Sequence, residues 1–312
     1  MVSFWNSISA VLLILMMIAV GYLFGRLGWM KSEHKPFVTK FLIYVAMPCM
    51  CIQNVFANFT PDILKSSGLL LLVPLVFNLC TMALSLGVAK LMRINRKRFG
   101  GFVVMCSMSN SLFVGYPVCM ELFGDVGIPY MMCFYIVNTT MFWVLGAPLI
   151  YHSGESGQTF TLSGSLKRLV TSPPLVALAA AIAVLLLGIE PPHIINSFCK
   201  YMSNAVTPLA LLYVGFLIYE TGLKNLRPDA GIWVASGMRF VAAPIVMVLL
   251  CRLFRLDADV TAVFMIEAAM PVMTQSVVVS AFAGADEKYN ALGMSVTSIL
   301  CLLAIPLLML LI

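Results

Sequence analysis

The sequence predicts an all-α polytopic membrane protein, and three observations carry that prediction. The 312 residues are 61% hydrophobic and only 10% charged, with a mean hydropathy of +1.00. Soluble domains are about 45–50% apolar and roughly 25% charged. Apolar runs of membrane-spanning length recur along the whole chain. This composition excludes an ordinary cytosolic enzyme, a disordered chain and a nucleic-acid-binding protein.

Ten apolar runs bounded by polar clusters predict ten transmembrane spans. The predicted spans cover residues 4–24, 37–57, 67–91, 100–122, 127–151, 173–189, 194–219, 230–251, 260–284 and 289–311. The longest polar stretch, rich in Gly and Ser, lies between spans 5 and 6. We therefore predict a first five-helix half over residues 1–152, a cytoplasmic linker over 153–172 and a second half over 173–312.

The distribution of Lys and Arg predicts the orientation of these spans. Residues 1–6 contain no Lys or Arg, and the first positive charge, Arg26, follows the first apolar run. That order indicates a retained first span rather than a cleaved signal peptide. Loops after odd-numbered spans, counted together with the adjoining span ends, carry fourteen basic residues, and those after even-numbered spans, counted in the same way, carry four. The positive-inside rule then places both termini outside the plasma (inner) membrane.

The two halves repeat one another at a nearly constant offset. Gly28–Pro48 and Gly188–Pro208 are both separated by 20 residues, and Thr139–Pro148 and Thr297–Pro306 are both separated by nine. Because five spans is an odd number, the second half would enter the membrane from the opposite side. Such an inverted repeat is the architecture of many secondary transporters. The alternative is a chance coincidence of Gly and Pro in apolar sequence.

Spans 4 and 9 are predicted to be broken helices. Span 4 has small polar residues at its centre, over 107–111, followed by Pro117, and span 9 contains Pro271 followed by Thr274 and Gln275. Proline removes a backbone donor and disfavours a continuous helix. Broken backbone at membrane depth is tolerated only where protein or a cavity satisfies it. Two breaks in corresponding spans predict a transporter's midplane binding site, and two simple proline kinks are the alternative.

Two charged residues, Arg239 and Glu267, fall deep within predicted spans. A charge at the centre of a membrane helix costs at least about 2.5 kcal/mol, so such residues normally face the protein interior. Arg239 could hold a carboxylate through a bidentate contact. Glu267, four residues before Pro271, could bind a coupling cation or a proton. The alternative is that both residues serve structure alone, paired with each other or placed near a helix end.

Three segments resemble the auxin efflux carrier family, which includes plant PIN carriers and bacterial malate or malonate permeases. They are SNSLFVGYP from Ser109, AMPVMTQ from Ala269, and SVTSILCLLAIP from Ser295. The resemblance covers essentially the whole chain. It implies ten transmembrane helices in two inverted five-helix repeats, with broken helices 4 and 9 crossing in a PIN-like and NhaA-like arrangement.

The resemblance also implies that two groups of helices have different roles. Helices 1, 2, 6 and 7 would form a scaffold that assembles as a homodimer, and helices 3–5 and 8–10 would form a transport domain that moves as an elevator. The sequence lacks the Asn-Pro-Asn-type motif of the plant proteins and has Ser109-Asn110-Ser111 in the corresponding stretch. It also lacks their long cytoplasmic loop. Both departures favour a small bacterial-type carboxylate over a plant hormone.

These arguments give a set of candidate site residues. The candidate substrate-binding residues are Gln53, Ser109, Asn110, Ser111, Pro117, Asn138, Thr140, Arg239, Met270, Pro271, Thr274 and Gln275. The candidate coupling-ion residues are Ser111, Glu267 and Gln275. Coupling to Na⁺, coupling to H⁺ and no coupling all stay open. The nine cysteines lack the spacing of metal ligands, so we expect neither a metal nor a cofactor.

The leading functional hypothesis is secondary-active transport of small organic anions, such as malate, malonate or auxin-like acids, by an elevator mechanism. A membrane sensor or a channel built on a transporter fold is the alternative. An enzyme is not expected, because the three histidines lie in loops and no catalytic constellation accompanies them. The sequence also lacks a phosphate-binding loop, which argues against direct use of ATP.

Overall fold

The structure is a computed structural model that describes residues 4–58, 61–155, 164, 171–189, 191–222 and 228–310. Within these residues every named element is helical, and β pairing is limited to one isolated bridge between Ser109 and Val272. Most of the predicted linker lies outside the described residues. The same is true of the loop over 223–227, which contributes two of the basic residues used to predict orientation.

The α-helices, in chain order, are α1 (Phe4–Arg26), α2 (Lys35–Phe41), α3 (Met47–Asn58), α4 (Pro61–Leu91), α5 (Arg96–Ser107), α6 (Tyr116–Phe123), α7 (Ile128–Met141), α8 (Ala147–Ser153), α9 (Pro173–Leu186), α10 (His193–Asn204), α11 (Val206–Thr221), α12 (Ala230–Gly237), α13 (Ala243–Leu253), α14 (Ala258–Ala268), α15 (Thr274–Ala283) and α16 (Glu287–Met309). Four π-helical segments adjoin them, at Leu42–Ala46, Ser111–Gly115, Phe142–Gly146 and Met238–Ala242. Short 3₁₀ turns occupy Ser32–His34 and Gly124–Val126.

Helix occupies each of the ten stretches that the sequence predicts as spans. Among the residues that the structure describes, six continuous helical stretches are long and apolar enough to cross a membrane: Ser32–Ala57, Gly68–Leu91, Ile128–Ser153, His193–Glu220, Ala230–Leu253 and Glu287–Met309. Three shorter helical stretches are also apolar: Leu12–Arg26, Pro173–Leu186 and Thr274–Ala283. The fold is therefore that of a helical membrane protein. The crossing of the membrane by all ten stretches stays a prediction.

Left-handed residues recur at the same offset in the two halves. The pairs with positive φ are Gly28 (72°) and Gly188 (68°), Arg93 (52°) and Arg255 (54°), and Gly124 (61°) and Gly284 (66°), which lie 160, 162 and 160 residues apart. Gly124 and Gly284 differ in ψ (−155° and 29°), and Gly222 (78°) has no such counterpart among the described residues. Arg93 and Arg255 are the non-glycine residues among them, and each follows the end of a helix. Because L-residues with a side chain rarely adopt this conformation, the recurrence supports the internal repeat.

Helix α1 packs closely against α11 through glycines. A Cβ atom added to Gly21 would overlap the backbone oxygen of Leu212, and one added to Gly215 would overlap that of Ile18. Small residues let helix backbones approach within a membrane. Gly21 and Gly25, four residues apart on α1, both make internal contacts with α11, with Gly25 against the ring of Tyr219.

Candidate functional site

Spans 4 and 9 are each interrupted at the middle of the molecule. Helix α5 ends at Ser107, Met108 is extended (φ −114°, ψ 129°), and the chain becomes helical again only at Ser111. Helix α14 ends at Ala268, and α15 begins at Thr274, so residues 269–273 separate the two helices. The predicted breaks in both spans are therefore present in the structure.

The break in span 4 does not occur where its proline predicted it. Pro117 lies in the first turn of α6, seven residues after Asn110, and is buried in regular helix. The π-helical segment Ser111–Gly115 runs directly into α6, so Pro117 lies within a continuous helix, and local π-helical hydrogen bonding accompanies the N–H that proline lacks. The expectation that Pro117 interrupts span 4 was wrong, whereas Pro271 does lie inside the break of span 9.

The two broken segments cross in contact with each other. Ser109 and Val272 form an antiparallel bridge, and the backbone N–H of Asn110 donates to the carbonyl of Pro271 at 2.9 Å. Non-helical backbone inside a membrane needs such internal partners, because lipid offers none. The crossing thus satisfies part of the backbone that each break exposes.

Side chains from α7 and α16 hold the crossing segments in place. The amide of Asn138 accepts from the N–H of Ser109 at 3.1 Å and donates to its carbonyl at 2.8 Å. On the other segment, the N–H of Val272 donates to Oγ1 of Thr297 at 3.1 Å. Each break is therefore fixed by a polar side chain from the last span of one half.

Arg239, on the π-helical segment Met238–Ala242, binds the carboxyl ends of both interrupted helices. The side chain is only 1% exposed. Its Nε donates to the carbonyl of Met105 at 2.9 Å, and its Nη2 donates to that of Met108 at 2.6 Å. Its Nη1 donates to the carbonyl of Met270 at 2.6 Å and to Oγ of Ser109 at 3.0 Å. Four of the five guanidinium N–H groups are thereby occupied.

We call these four oxygen atoms the carbonyl pole of the crossing. They are the carbonyl oxygens of Met105, Met108 and Met270 and the hydroxyl oxygen of Ser109. The carboxyl end of a helix has unpaired carbonyls and a partial negative charge. A buried guanidinium group donates hydrogen bonds to the unpaired carbonyls and offsets their partial negative charge. These interactions explain how the charge of Arg239 is accommodated at this depth.

The opposite side of the crossing is a narrow cavity, which we call the amide pole. It is lined by Asn110, Ser111, Leu112, Phe113, Tyr135, Asn138, Thr139, Met273 and Gln275. These residues include the amino-terminal ends of Ser111–Gly115 and of α15, whose first N–H groups have no partner in their own helix. The cavity volume is about 20 Å³, enough for about one water molecule.

Polar side chains at the amide pole are only partly paired. Nδ2 of Asn110 donates to Oγ1 of Thr274 at 3.0 Å, so this contact joins the two helix starts. Oε1 of Gln275 and Oγ of Ser111 are buried without a hydrogen-bond partner. The amide pole therefore combines the partial positive charge of two helix starts with one free hydroxyl, Oγ of Ser111, which can donate a hydrogen bond. The free oxygen of Gln275 can only accept one.

Glu267, the other predicted intramembrane charge, is fully buried and unpaired. Neither carboxyl oxygen has a hydrogen-bond partner, and the group lies against the Cα of Gly115 and beside Ser111. Within the described residues no ion pair joins Glu267 to Arg239, whose donors are directed to backbone carbonyls and Ser109. A charged carboxylate without a partner is costly in a membrane interior, which makes Glu267 unusual at this depth.

Several predicted site residues lie away from the amide pole. Gln53, on α3, is partly buried and does not line the cavity. Oγ1 of Thr140 donates to the carbonyl of Ile136, and its side chain lines a separate, open, apolar cavity of about 570 Å³ against α9. Arg239, Met270 and Pro271 belong to the crossing but not to the cavity lining. Only Asn110, Ser111, Asn138 and Gln275 of the predicted set line the cavity.

The structure also adds residues that sequence reasoning missed. Tyr135 and Thr139 line the amide pole from α7, and Thr297 supports the second break. Thr139 and Thr297 are equivalent in the repeat, which is a signal the sequence contained. Met105 and Met108 contribute only their backbone carbonyls. Because every residue type has a backbone carbonyl, the sequence gives no sign of this role.

Comparison with known proteins agrees with this architecture. The family described as "Membrane transport protein" matches residues 6–309. A protein of Methanocaldococcus jannaschii named an uncharacterized transporter is 26% identical over 309 residues, which is 96% of each chain. One of the same description from Methanothermobacter thermautotrophicus is 27% identical over 308 residues, covering 97% of this chain and 98% of its own.

A third relative has a more specific name. A protein of Rhizobium meliloti named "Putative malonate transporter" is 21% identical over 236 residues, covering 75% of this chain and 72% of its own. The family match spans nearly the whole chain, and the apolar helices indicate a multi-pass membrane protein. The chain therefore belongs to the membrane transport protein family, which is the auxin efflux carrier family.

Proposed function

We propose that this protein is a secondary-active transporter of small organic anions and that it binds a carboxylate at the amide pole. One observation carries the proposal. The amino-terminal ends of two interrupted helices converge, with Asn110, Asn138 and Gln275, on a single buried cavity. Helix amino termini attract anions through their free N–H groups and partial positive charge. In transporters such discontinuous helices bind substrate near the bilayer midplane.

The chemistry of the amide pole favours a carboxylate. Its partial positive charge comes from helix ends, and its polar side chains are neutral amides and hydroxyls, so it suits a small anion with several acceptor oxygens. The name of the Rhizobium meliloti relative points to malonate, a dicarboxylate of this class. We therefore propose small mono- and dicarboxylates as substrates, with malonate the first compound to test.

The size of the cavity supports a cycle with conformational change. A space of about 20 Å³ is smaller than a carboxylate-bearing molecule, so substrate must enter a wider form of the site. We propose that the helices around the crossing move as a transport domain against a scaffold of α1–α3 and α9–α11. Close packing of α1 on α11, and of α3 on α9 and α10, supports such a scaffold. We also propose that the protein forms a homodimer through this scaffold. Its ten spans would form two inverted halves, with both termini outside the plasma membrane.

Glu267 is our proposed carrier of a coupling proton. Its carboxyl group is buried and unpaired, and it adjoins Ser111, which lines the amide pole. A proton bound there would let the group remain buried during transport, because the neutral acid tolerates a membrane interior. Ser111 and Gln275 would then adjust to substrate rather than coordinate a metal ion.

Uptake of labelled malonate into proteoliposomes tests the proposed function. We expect saturable uptake and counterflow by the wild-type protein, and at least about tenfold lower uptake by Asn110→Ala and Gln275→Ala, because each removes a polar group from the site. Thr140→Ala is the matched control, since Thr140 lies in the other cavity. Flux that never saturates would support a channel. Binding without any flux would support a sensor.

A further inference from the structure

We infer that Arg239 is a built-in cation of the crossing, which fills the carbonyl pole in place of a coupling cation. The carrier then needs no sodium ion at this position. Arg239 thereby acts as a positioning residue that holds the two breaks together. The part of this inference that concerns coupling rests on the proposed transport function, whereas the part that concerns the site does not.

The geometry is that of a cation site already occupied. Three backbone carbonyl oxygens and one hydroxyl oxygen converge on one guanidinium group, at 2.6–3.0 Å. Carbonyl oxygens of unwound or terminated helices are also the ligands with which transporters and channels hold monovalent cations. Here the lone pairs that would face such an ion already accept N–H donors from the protein chain.

The charge balance leads to the same conclusion. Arg239 is 1% exposed, and its four hydrogen bonds go to neutral acceptors rather than to a carboxylate. Glu267, the other buried charged residue type near the crossing, is unpaired. The partial negative charge at the ends of α5 and α14 is therefore the balancing charge for the guanidinium group. A second cation at the same pole would meet repulsion and find few free oxygen atoms.

Arg239 has little capacity left to hold a substrate carboxylate. Four of its five N–H groups are engaged, and it does not line the amide pole. Its effect on substrate would be indirect. By tying the ends of α5 and α14 together, it fixes the positions of Ser111–Gly115 and α15, which follow the two breaks and present their amino termini to the cavity.

The first test uses the wild-type protein. Malonate uptake into proteoliposomes is measured in sodium chloride and in choline chloride of equal strength and pH. We expect initial rates that agree within about twofold, because the carbonyl pole requires no added cation. A dependence on sodium of about tenfold or more would overturn the inference while leaving the proposed transport function intact.

The second test needs no transport. Thermal unfolding of purified Arg239→Ala is followed in choline chloride with and without millimolar guanidinium or sodium chloride. Removing the side chain leaves the oxygen atoms of the carbonyl pole without donors, so we expect a lower melting temperature, which added guanidinium partly restores. The melting temperature of the wild-type protein should not rise when guanidinium is added. The melting temperature of Arg239→Lys should lie between those of the wild-type protein and Arg239→Ala, since an ammonium group supplies the charge with fewer hydrogen-bond donors. If Arg239→Ala does not fold, Arg239→Lys with the same additives carries the test.

The outcomes separate the two possible roles of Arg239. A lower melting temperature with rescue by guanidinium supports a positioning cation. A variant with the wild-type melting temperature and no response to any cation would overturn it, as would one that loses only malonate binding, because that result indicates a direct carboxylate contact. If the wild-type protein transports no carboxylate, the proposed function fails while thermal rescue still decides this inference.

Discussion

At the scale of single residues, the crossing has two poles of opposite partial charge. Arg239 binds the carboxyl-terminal helix ends, which are partly negative, and the amino-terminal helix ends that form the amide pole are partly positive. Glu267 belongs to neither pole but adjoins the amide pole at Ser111, and its carboxyl group is buried and unpaired. In the function that we propose, neutral polar groups bind the substrate, Arg239 holds the two breaks in position and Glu267 binds the proton.

The role proposed for Glu267 predicts a specific loss. In Glu267→Gln the side chain keeps its size but cannot release or bind a proton, so we expect the variant to fold and exchange malonate. Net uptake driven by an inward proton gradient should fall at least about tenfold relative to the wild-type protein. Proteoliposomes with and without an imposed pH gradient provide the measurement.

Glu121→Gln is the control for that change, because Glu121 is an exposed carboxylate on α6. It should respond to the gradient like the wild-type protein. Gradient-driven uptake by Glu267→Gln at the wild-type rate would rule out Glu267 as the proton carrier.

At the scale of elements, the breaks depend on neighbouring helices for their backbone partners. Spans 4 and 9 are not helical over 108–110 and 269–273, and α7, α16 and the Arg239 segment supply hydrogen-bond partners to part of this backbone. Because an unpaired peptide group in a membrane costs several kcal/mol, the broken helices cannot persist without these elements. Sequence predicted the breaks from proline and small polar residues, but it could not identify the partners.

Asn138→Ala should destabilise the fold. Substitution leaves both backbone groups of Ser109 without their partner, which costs about 1–3 kcal/mol for each buried group. We expect a clearly lower melting temperature in detergent. Thr140→Ala, on the same helix, removes only a bond to the preceding turn and should change stability by less than about 1 kcal/mol. Equal effects of the two changes would contradict the supporting role of Asn138.

Gly215→Ala tests the contact between α1 and α11. A Cβ atom at this position would overlap the backbone oxygen of Ile18, and backbone cannot move aside as a flexible side chain does. We expect a loss of about 1–3 kcal/mol of stability, as for other overpacked sites. Gly87→Ala is the matched control, because no atom lies within 4 Å of the added Cβ. There the gain in helix propensity should leave stability equal or raised by up to about 1 kcal/mol.

At the scale of the whole molecule, one polar cluster joins helices from both halves of the chain. Arg98, near the start of α5, donates to Asp286 at 2.7 Å and to Asp229 at 2.9 Å, and it lies 4.7 Å from the ring centre of Tyr289. Asp229 and Asp286 in turn cap the amino termini of α12 and α16. The cluster therefore fixes three helix starts relative to one another at the same end of the molecule.

This cluster predicts a pH dependence. Burial favours a raised pKa for Asp286, but hydrogen bonds from Arg98 and the N–H of Tyr289 outweigh it and hold the pKa below its usual value. A depressed pKa stabilises the folded state at neutral pH, and that stabilisation is lost as the pH falls through the folded-state pKa. Asp286→Asn should therefore have a lower melting temperature than wild type at pH 7, with the difference closing in acid. A difference that stays constant with pH would contradict this account.

Sequence alone determined the membrane class, the ten helical stretches and the two breaks, because these follow from hydrophobicity, length and backbone chemistry that act locally. It also identified Asn110, Asn138, Glu267 and Arg239 as unusual for a membrane interior. Only the tertiary structure decided what each of them contacts. Arg239 binds carbonyls that its sequence neighbours do not supply, and Thr140 faces another cavity. The physical reason is that backbone acceptors and helix-end dipoles look alike at every position in a sequence, and only folding brings particular ones together.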